Sequence, residues 1–262
     1  TTEIYTLSLH DALPISRYVD GRLTHPEGLV LEVIEEALDV CSDCAALNYV
    51  DWSVIADHRI MIRTEGAENV TVTPTAIVNA TGVHVDGVNE RLGLPTALVS
   101  GVRGTHLVLR HPELSRQLAG EIYYFDDGAG RLVVVCPLGE TVLLGTTERV
   151  ETPEEQAEIK TDGVRYLLGA ISGLFKGVVV TPADVIAATT GYRALKAFAS
   201  GSATAASRDH ELFEDICANG VPVFSMVGGK WTTARALGAE TADAVLARLG
   251  VARTVSTKSR SY

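Results

Sequence analysis

The segment from Val221 to Arg235, VPVFSMVGGKWTTAR, constrains this chain more than any other. Its apolar run predicts a strand over Val221–Val227, the adjacent glycines a turn at Gly228-Gly229, and the following pattern a helix over Lys230–Leu249. That helix carries Ala234, Leu237, Thr241, Val245 and Leu249 on one mostly apolar side. Two glycines let backbone come close to a flat ligand. The helix then directs unpaired N–H groups and a partial positive charge at it, and Lys230 adds a full one. A strand, a diglycine and a helix in this order therefore predict a ligand-facing turn suited to negative charge developing on a planar group.

The rest of the chain predicts mixed α/β structure with a separate antiparallel layer. Thr24, Pro26 and Glu27 have the spacing of a helix start, with Thr24 at the cap. Leu29, Val30, Val33, Ile34, Ala37 and Leu38 then recur at helical spacing, which predicts a core-packing helix. Short β-rich pieces follow near 47–50 and over 58–63, 69–73 and 76–79. The last is all apolar in Ala76-Ile77-Val78 and runs into Asn79-Ala80-Thr81-Gly82, a buried strand entering a tight turn. Strands are expected over 105–110, 121–125, 131–136 and 141–145, with turns at 126–130 and 137–139 that make consecutive strands antiparallel. Thr152, Pro153 and Glu155 predict a helix reaching about Leu168. Another strand is expected over 184–190, and the Ala-, Ser- and Gly-rich stretch after Tyr192 predicts a loop.

Composition excludes some functions. A net charge of -11 argues against nucleic-acid binding, which draws on clustered Lys and Arg, so an anionic small molecule must be held by a few local cations. No apolar run is long enough to span a bilayer. Cys41 and Cys44 form a single C-x-x-C with no second pair at zinc-ribbon spacing, so neither a metal nor a redox role is expected there, only a helix end with two small apolar side chains. Cys136 and Cys217 have the character of buried thiols, which makes a reducing cytoplasm the default location.

The ordered motifs Asn79-Ala80-Thr81-Gly82, Gly104-Thr105-His106, Gly145-Thr146-Thr147-Glu148, Gly191-Tyr192-Arg193-Ala194-Leu195, Ser207-Arg208-Asp209 and Gly228-Gly229-Lys230-Trp231-Thr232-Thr233-Ala234-Arg235 resemble those of FAD-dependent glycerol-3-phosphate dehydrogenases. The resemblance covers about residues 17–250. It implies the DAO-type, glutathione-reductase-like fold: a partial FAD-binding domain from residues 17–82 and 191–262, enclosing an antiparallel substrate domain over 83–190. It further implies FAD contacts at Ala80, Thr81, Gly82, Gly228, Gly229, Lys230 and Thr232. The same likeness puts the substrate phosphate on Arg193 and Arg208, and the catalytic work on His106, Lys230 and Arg193. Guanidinium forks suit phosphate because they give paired, charge-assisted hydrogen bonds. An imidazole titrating near ~6.5 suits removal of a proton from a hydroxyl as hydride departs.

By this resemblance the complete enzyme would oxidise sn-glycerol 3-phosphate to dihydroxyacetone phosphate and pass electrons to a quinone or another acceptor, with peripheral contact on the inner face of the membrane left open. The chain departs from the family pattern at Tyr192, at Ala194, where proline is usual, and at His84, where tryptophan is frequent. Another DAO-type oxidase of amino acids or 2-hydroxy acids therefore stays as a rival. A non-catalytic fragment is the second rival. No G-x-G-x-x-G follows a strand here, and the family's helical carboxy-terminal domain has no counterpart, so this chain by itself is expected to bind FAD weakly or not at all. Residues 1–16 match no flavoprotein segment and are expected to be a non-native leader.

Overall fold

The computed structural model describes residues 17–23, 25–56, 59–151, 161–198, 209–218 and 220–259. They form two compact units, one from the residues up to Asp51 with Arg63–Glu68, the other from Trp52–Ile62 and Asn69 onward. In chain order the elements are α1 (Pro26–Val40), β1 (Val50–Val54), β2 (Ile60–Thr64), β3 (Val70–Val72), β4 (Ile77–Asn79), α2 (Val85–Arg91), β5 (Val99–Leu109), α3 (Pro112–Leu118), β6 (Tyr123–Asp126), β7 (Leu132–Leu138), β8 (Thr141–Gly145), β9 (Arg149–Val150), α4 (Thr161–Ile171), β10 (Val185–Lys196), β11 (Glu211–Ile216), β12 (Pro222–Val227) and α5 (Ala234–Arg248).

The larger unit holds two sheets that matter for function. One has the order β10-β5-β8-β7-β6, with β9 also on β5, and its pairings are antiparallel. Because side chains alternate across a strand, Leu107 and Leu109 of β5 turn to one face. There they join Val133, Val135, Val142 and Leu144 under Leu114 and Leu118 of α3 and Leu167 and Ile171 of α4. Helices thus seal one face of the sheet and leave the alternate residues to the other.

The other sheet has the order β11-β12-β4, with β12 antiparallel to β11 and parallel to β4. A buried polar network joins its two parallel strands. Asn79, 2% exposed, donates through Nδ2 to the Val85 carbonyl at 2.9 Å and to Asn89 Oδ1 at 2.7 Å. Its Oδ1 accepts from the Thr81 hydroxyl at 2.6 Å and the Thr81 amide at 3.3 Å. Asn89 in turn donates to Ser225 Oγ at 2.9 Å and Thr96 Oγ1 at 3.1 Å. Asp86 accepts from Thr96 Oγ1 at 2.7 Å and from the amides of Leu98 and Val99 at 2.8 and 3.0 Å, which ties the start of β5 to α2.

Several expectations are corrected. No residue of α1 is buried, and Val30, Val33, Ile34 and Leu38 remain exposed, because amphipathic spacing selects a face but does not supply a layer to cover it. His25, not Thr24, stands at the cap of that helix, and Thr24 lies outside the described residues. Val78 in β4 is exposed; among the described residues this strand lies at a sheet edge and pairs only with β12. The strand expected to end at Thr190 continues to Lys196 and that expected to begin at Thr105 begins at Val99, each supported by the other through long-range pairing. β10 therefore passes unbroken from Thr190 to Gly191. β7 extends to Leu138. A short 3-10 turn at Trp231–Thr233 precedes α5, so the helix proper starts at Ala234. α2, α3 and β11 have no counterpart in the sequence reading, and the capping residues Thr152, Pro153 and Glu155 lie outside the described residues.

The network gives a direct test of what aligns β4 with β12. Asn79→Ala should lower unfolding free energy by roughly 2–4 kcal/mol, because it strands several buried partners at once. Val78→Ala, at the exposed neighbour, should cost less than about 1 kcal/mol. Urea unfolding followed by circular dichroism measures both.

Candidate functional site

The face of the antiparallel sheet opposite α3 and α4 carries Gly104 and His106 of β5. Directly opposed residues of paired strands share a face, so the register Gly104↔Gly191, His106↔Thr189, Val102↔Arg193 and His106↔Gly145 brings Arg193 onto the same surface as His106. Both side chains lie against a glycine. A Cβ on Gly145 would lie 2.1 Å from His106 Cδ2, so the imidazole rests directly on bare backbone. A Cβ on Gly104 would meet the Arg193 guanidinium at 2.9 Å and Thr146 Oγ1 at 2.7 Å. The two G-T motifs of the sequence are thus the floors on which the histidine and the arginine lie.

Arg193 Nη2 donates to Thr146 Oγ1 at 3.0 Å, and Glu148 Oε1 stands 3.9 Å from Nη1. The loop bearing both groups is pinned to β5: the Thr105 amide donates to Thr147 Oγ1 at 2.9 Å, and the Thr147 amide to the Thr105 carbonyl at 3.2 Å. Thr146 and Glu148 had no assigned role in the sequence reading, although the Gly-Thr-Thr-Glu motif marked the place. The Arg193 side chain keeps 30% of its surface accessible. Burial pushes the His106 imidazole below its ordinary value, and the nearby charge of Arg193 pushes it the same way. His106 is accordingly neutral at neutral pH and able to accept a proton.

The two glycine turns lie at the carboxyl ends of the parallel strands β4 and β12, whose register sets Asn79 opposite Ser225. Crevices at such strand ends are where ligands bind in α/β sheets. Ala80, Thr81 and Gly82 leave β4 and enter a 3-10 turn, Gly82–His84, that leads into α2 and packs against β5 and β10. Gly228 and Gly229 leave β12 with φ of 73° and 94°, values that favour glycine, and a Cβ on Gly228 would stand 2.5 Å from the Asp209 carbonyl oxygen. Thr233 serves the local turn, accepting from the Lys230 amide at 3.0 Å, while Lys230 and Thr232 are exposed. Next to this turn His210 Nε2 lies 3.1 Å from Glu240 Oε2, a pairing the sequence reading did not anticipate.

The structure therefore brings together His106 with Arg193, and it sets Ala80, Thr81 and Gly82 at the same strand ends as Gly228, Gly229, Lys230 and Thr232. Arg208 lies outside the described residues. Among the described residues no group of three or more His, Cys, Asp or Glu could hold a metal ion, and no helix is long and apolar enough to cross a membrane.

A sequence profile of the FAD dependent oxidoreductase (DAO) family matches residues 16–244. A glycerol-3-phosphate dehydrogenase of Synechocystis sp. is 28% identical over 253 residues, covering 89% of this chain and 45% of the relative. A mitochondrial glycerol-3-phosphate dehydrogenase of Arabidopsis thaliana is 30% identical over 182 residues, 65% of this chain and 26% of the relative. The X-ray structure of the glycerol-3-phosphate dehydrogenase from Bacillus halodurans complexed with FAD superposes with a TM-score of 0.72 at 26% identity, covering 88% of this chain and 44% of that one. This chain spans less than half the length of each of them.

The packing of His106 has three measurable consequences. In an NMR titration its imidazole should ionise below the ordinary value of about 6.5, and Arg193→Gln should raise it only part of the way, since burial is the larger cause. As the unfolded chain takes up this proton first, the stability owed to neutral His106 should fall as pH drops below about 6.5 and be constant above it. Gly145→Ala should displace the ring and lower stability by about 1–3 kcal/mol, measured by urea unfolding at pH 7.5.

Proposed function

We propose, from the premise that this chain belongs to the FAD-dependent oxidoreductase family, that it forms part of an enzyme oxidising sn-glycerol 3-phosphate to dihydroxyacetone phosphate. The observation that carries the reading is the pairing of a neutral imidazole with an accessible guanidinium on one sheet face, His106 beside Arg193. A phosphate needs the cation, and a secondary alcohol needs the base.

The turns at Ala80–Gly82 and Gly228–Lys230 fit FAD. Both present exposed backbone or side chain at the ends of parallel strands, and the second combines two glycines of positive φ with an exposed lysine. In this reading Ala80, Thr81, Gly82, Gly228, Gly229, Lys230 and Thr232 hold the cofactor, which when bound supplies the two-electron acceptor for the C2 hydride. Lys230 would place positive charge beside the bound cofactor, which would favour its acceptance of electrons.

The chain's own residues do the remaining work. Arg193, held by Thr146, grips the substrate phosphate and so sets the distance from phosphate to C2; Arg208 adds a second cation. His106 takes the proton of the C2 hydroxyl. The resulting imidazolium is disfavoured by burial and by the adjacent guanidinium, which speeds its discharge to solvent after turnover. Lys230 steers the hydroxyl, and the electrons leave the enzyme for a quinone or another acceptor, with peripheral membrane contact as one setting for that transfer.

The test uses the full-length gene product. Anaerobic addition of glycerol 3-phosphate should bleach the oxidised flavin band, whereas amino acids and 2-hydroxy acids should leave it intact. Bleaching by an amino acid and not by glycerol 3-phosphate would overturn the reading. Arg193→Met should raise KM by about 30- to 1000-fold, the loss of roughly 2–4 kcal/mol of charge-assisted bonding. His106→Gln should lower kcat by about 10²- to 10⁴-fold and remove the acidic limb of the pH profile, as steady-state kinetics would record.

A further inference from the structure

The C-x-x-C at the end of α1 takes no part in the site described above, yet its two thiols are arranged unequally. Cys41 is the residue that ends α1, and the Cys44 amide donates to the Cys41 carbonyl at 3.1 Å, closing a tight turn through Ser42 and Asp43. This turn brings the side chains into contact, and the Cys44 thiol hydrogen-bonds to Cys41 Sγ. The Asp43 amide lowers the same thiol further. These neighbours hold the Cys41 thiol below the ordinary cysteine value, whereas Cys41, burial and the Asp43 carboxylate push the Cys44 thiol above it. Both sulfurs are free thiols, Cys44 exposed and Cys41 half-buried, while Cys136 and Cys217 are buried in the fold.

We propose that Cys41 and Cys44 form a reversible dithiol–disulfide redox site, with Cys41 as the attacking sulfur, Cys44 as the resolving sulfur, and a low-molecular-weight disulfide as the oxidant.

The convergence of donors on Cys41 favours its thiolate over that of Cys44, and the thiolate is the nucleophile in exchange. Thiolate formation is opposed by the negative end of α1, whose last turn contains no basic residue, so the local donors act against the helix dipole. In the first step Cys41 Sγ attacks one sulfur of the disulfide RSSR, forming a Cys41–SR bond and releasing RS⁻. In the second, Cys44 loses its proton to solvent and attacks Cys41 Sγ, forming the Cys41–Cys44 bond and releasing a second RS⁻. Two electrons pass from the protein thiols to RSSR, and a dithiol reductant reverses the sequence. Exposure at the surface admits a small disulfide here and denies it to Cys136 and Cys217.

The intact chain should be equilibrated across glutathione/glutathione disulfide ratios, quenched with acid and alkylated, and its bridges mapped by peptide mass spectrometry. The expected result is one bridge, Cys41–Cys44, reversed by dithiothreitol, with Cys136 and Cys217 alkylated only after denaturation. Cys44→Ser should accumulate one glutathione adduct on Cys41. Cys41→Ser should react at least about tenfold more slowly, since its remaining thiol lacks the donors. Absence of the bridge at a large excess of glutathione disulfide would overturn the proposal, as would faster adduct formation on Cys44 in Cys41→Ser than on Cys41 in Cys44→Ser.

Discussion

The antiparallel pairing of β10 with β5 is the constraint on which the site depends. It runs from Val185 opposite Leu109 to Lys196 opposite Val99, and its register decides which side chains share a face. A slip of one residue would turn Arg193 toward the face packed by α3 and α4 and leave His106 without its cation. Burial guards against that slip. Ala188 of β10, opposite Leu107 and packed against the core, would be turned out of it by the same shift. The apolar core on one face therefore fixes the chemistry on the other.

A second constraint is the hydrogen-bonded network of Asn79, Asn89 and Ser225. Each amide group of the two asparagines is satisfied by partners from different parts of the chain, so the parallel strands β4 and β12 and the helix α2 have one mutual arrangement. Buried polar groups tolerate few alternatives, since an unmet hydrogen bond costs more than a made one returns. The consequence is local to the strand ends. The Ala80–Gly82 turn and the Gly228–Lys230 turn are held level, and the bridge from Asp86 to the amides of Leu98 and Val99 extends that alignment to the strand carrying His106.

Much of this was legible in the sequence where local chemistry decides the outcome. The diglycine after an apolar run announced the turn at Gly228, and the apolar runs in 131–136 and 141–145, set off by turn residues, announced β7 and β8. Longer-range effects were not legible. Glycine at 104 and 145 reads as ordinary turn chemistry until the cross-strand partner is known, and only the register reveals that each makes room for Arg193 or His106. Glu211-Leu-Phe-Glu-Asp-Ile has too many acids to advertise a strand, yet β11 forms because β12 offers it a full row of partners. For α1 the failure ran the other way: its apolar stripe was plain in the sequence, but amphipathic spacing carries no information about what lies against it.

As proposed, the His106–Arg193 face and the two glycine turns serve one bound substrate and one bound cofactor. A crystal structure of the full-length protein with FAD and dihydroxyacetone phosphate tests it most directly. The phosphate is expected on the Arg193 guanidinium, the C2 oxygen within hydrogen-bond distance of the His106 imidazole, and the flavin ring over Gly228-Gly229-Lys230. A phosphate bound away from Arg193, or a flavin ring seated elsewhere than against these turns, would contradict it.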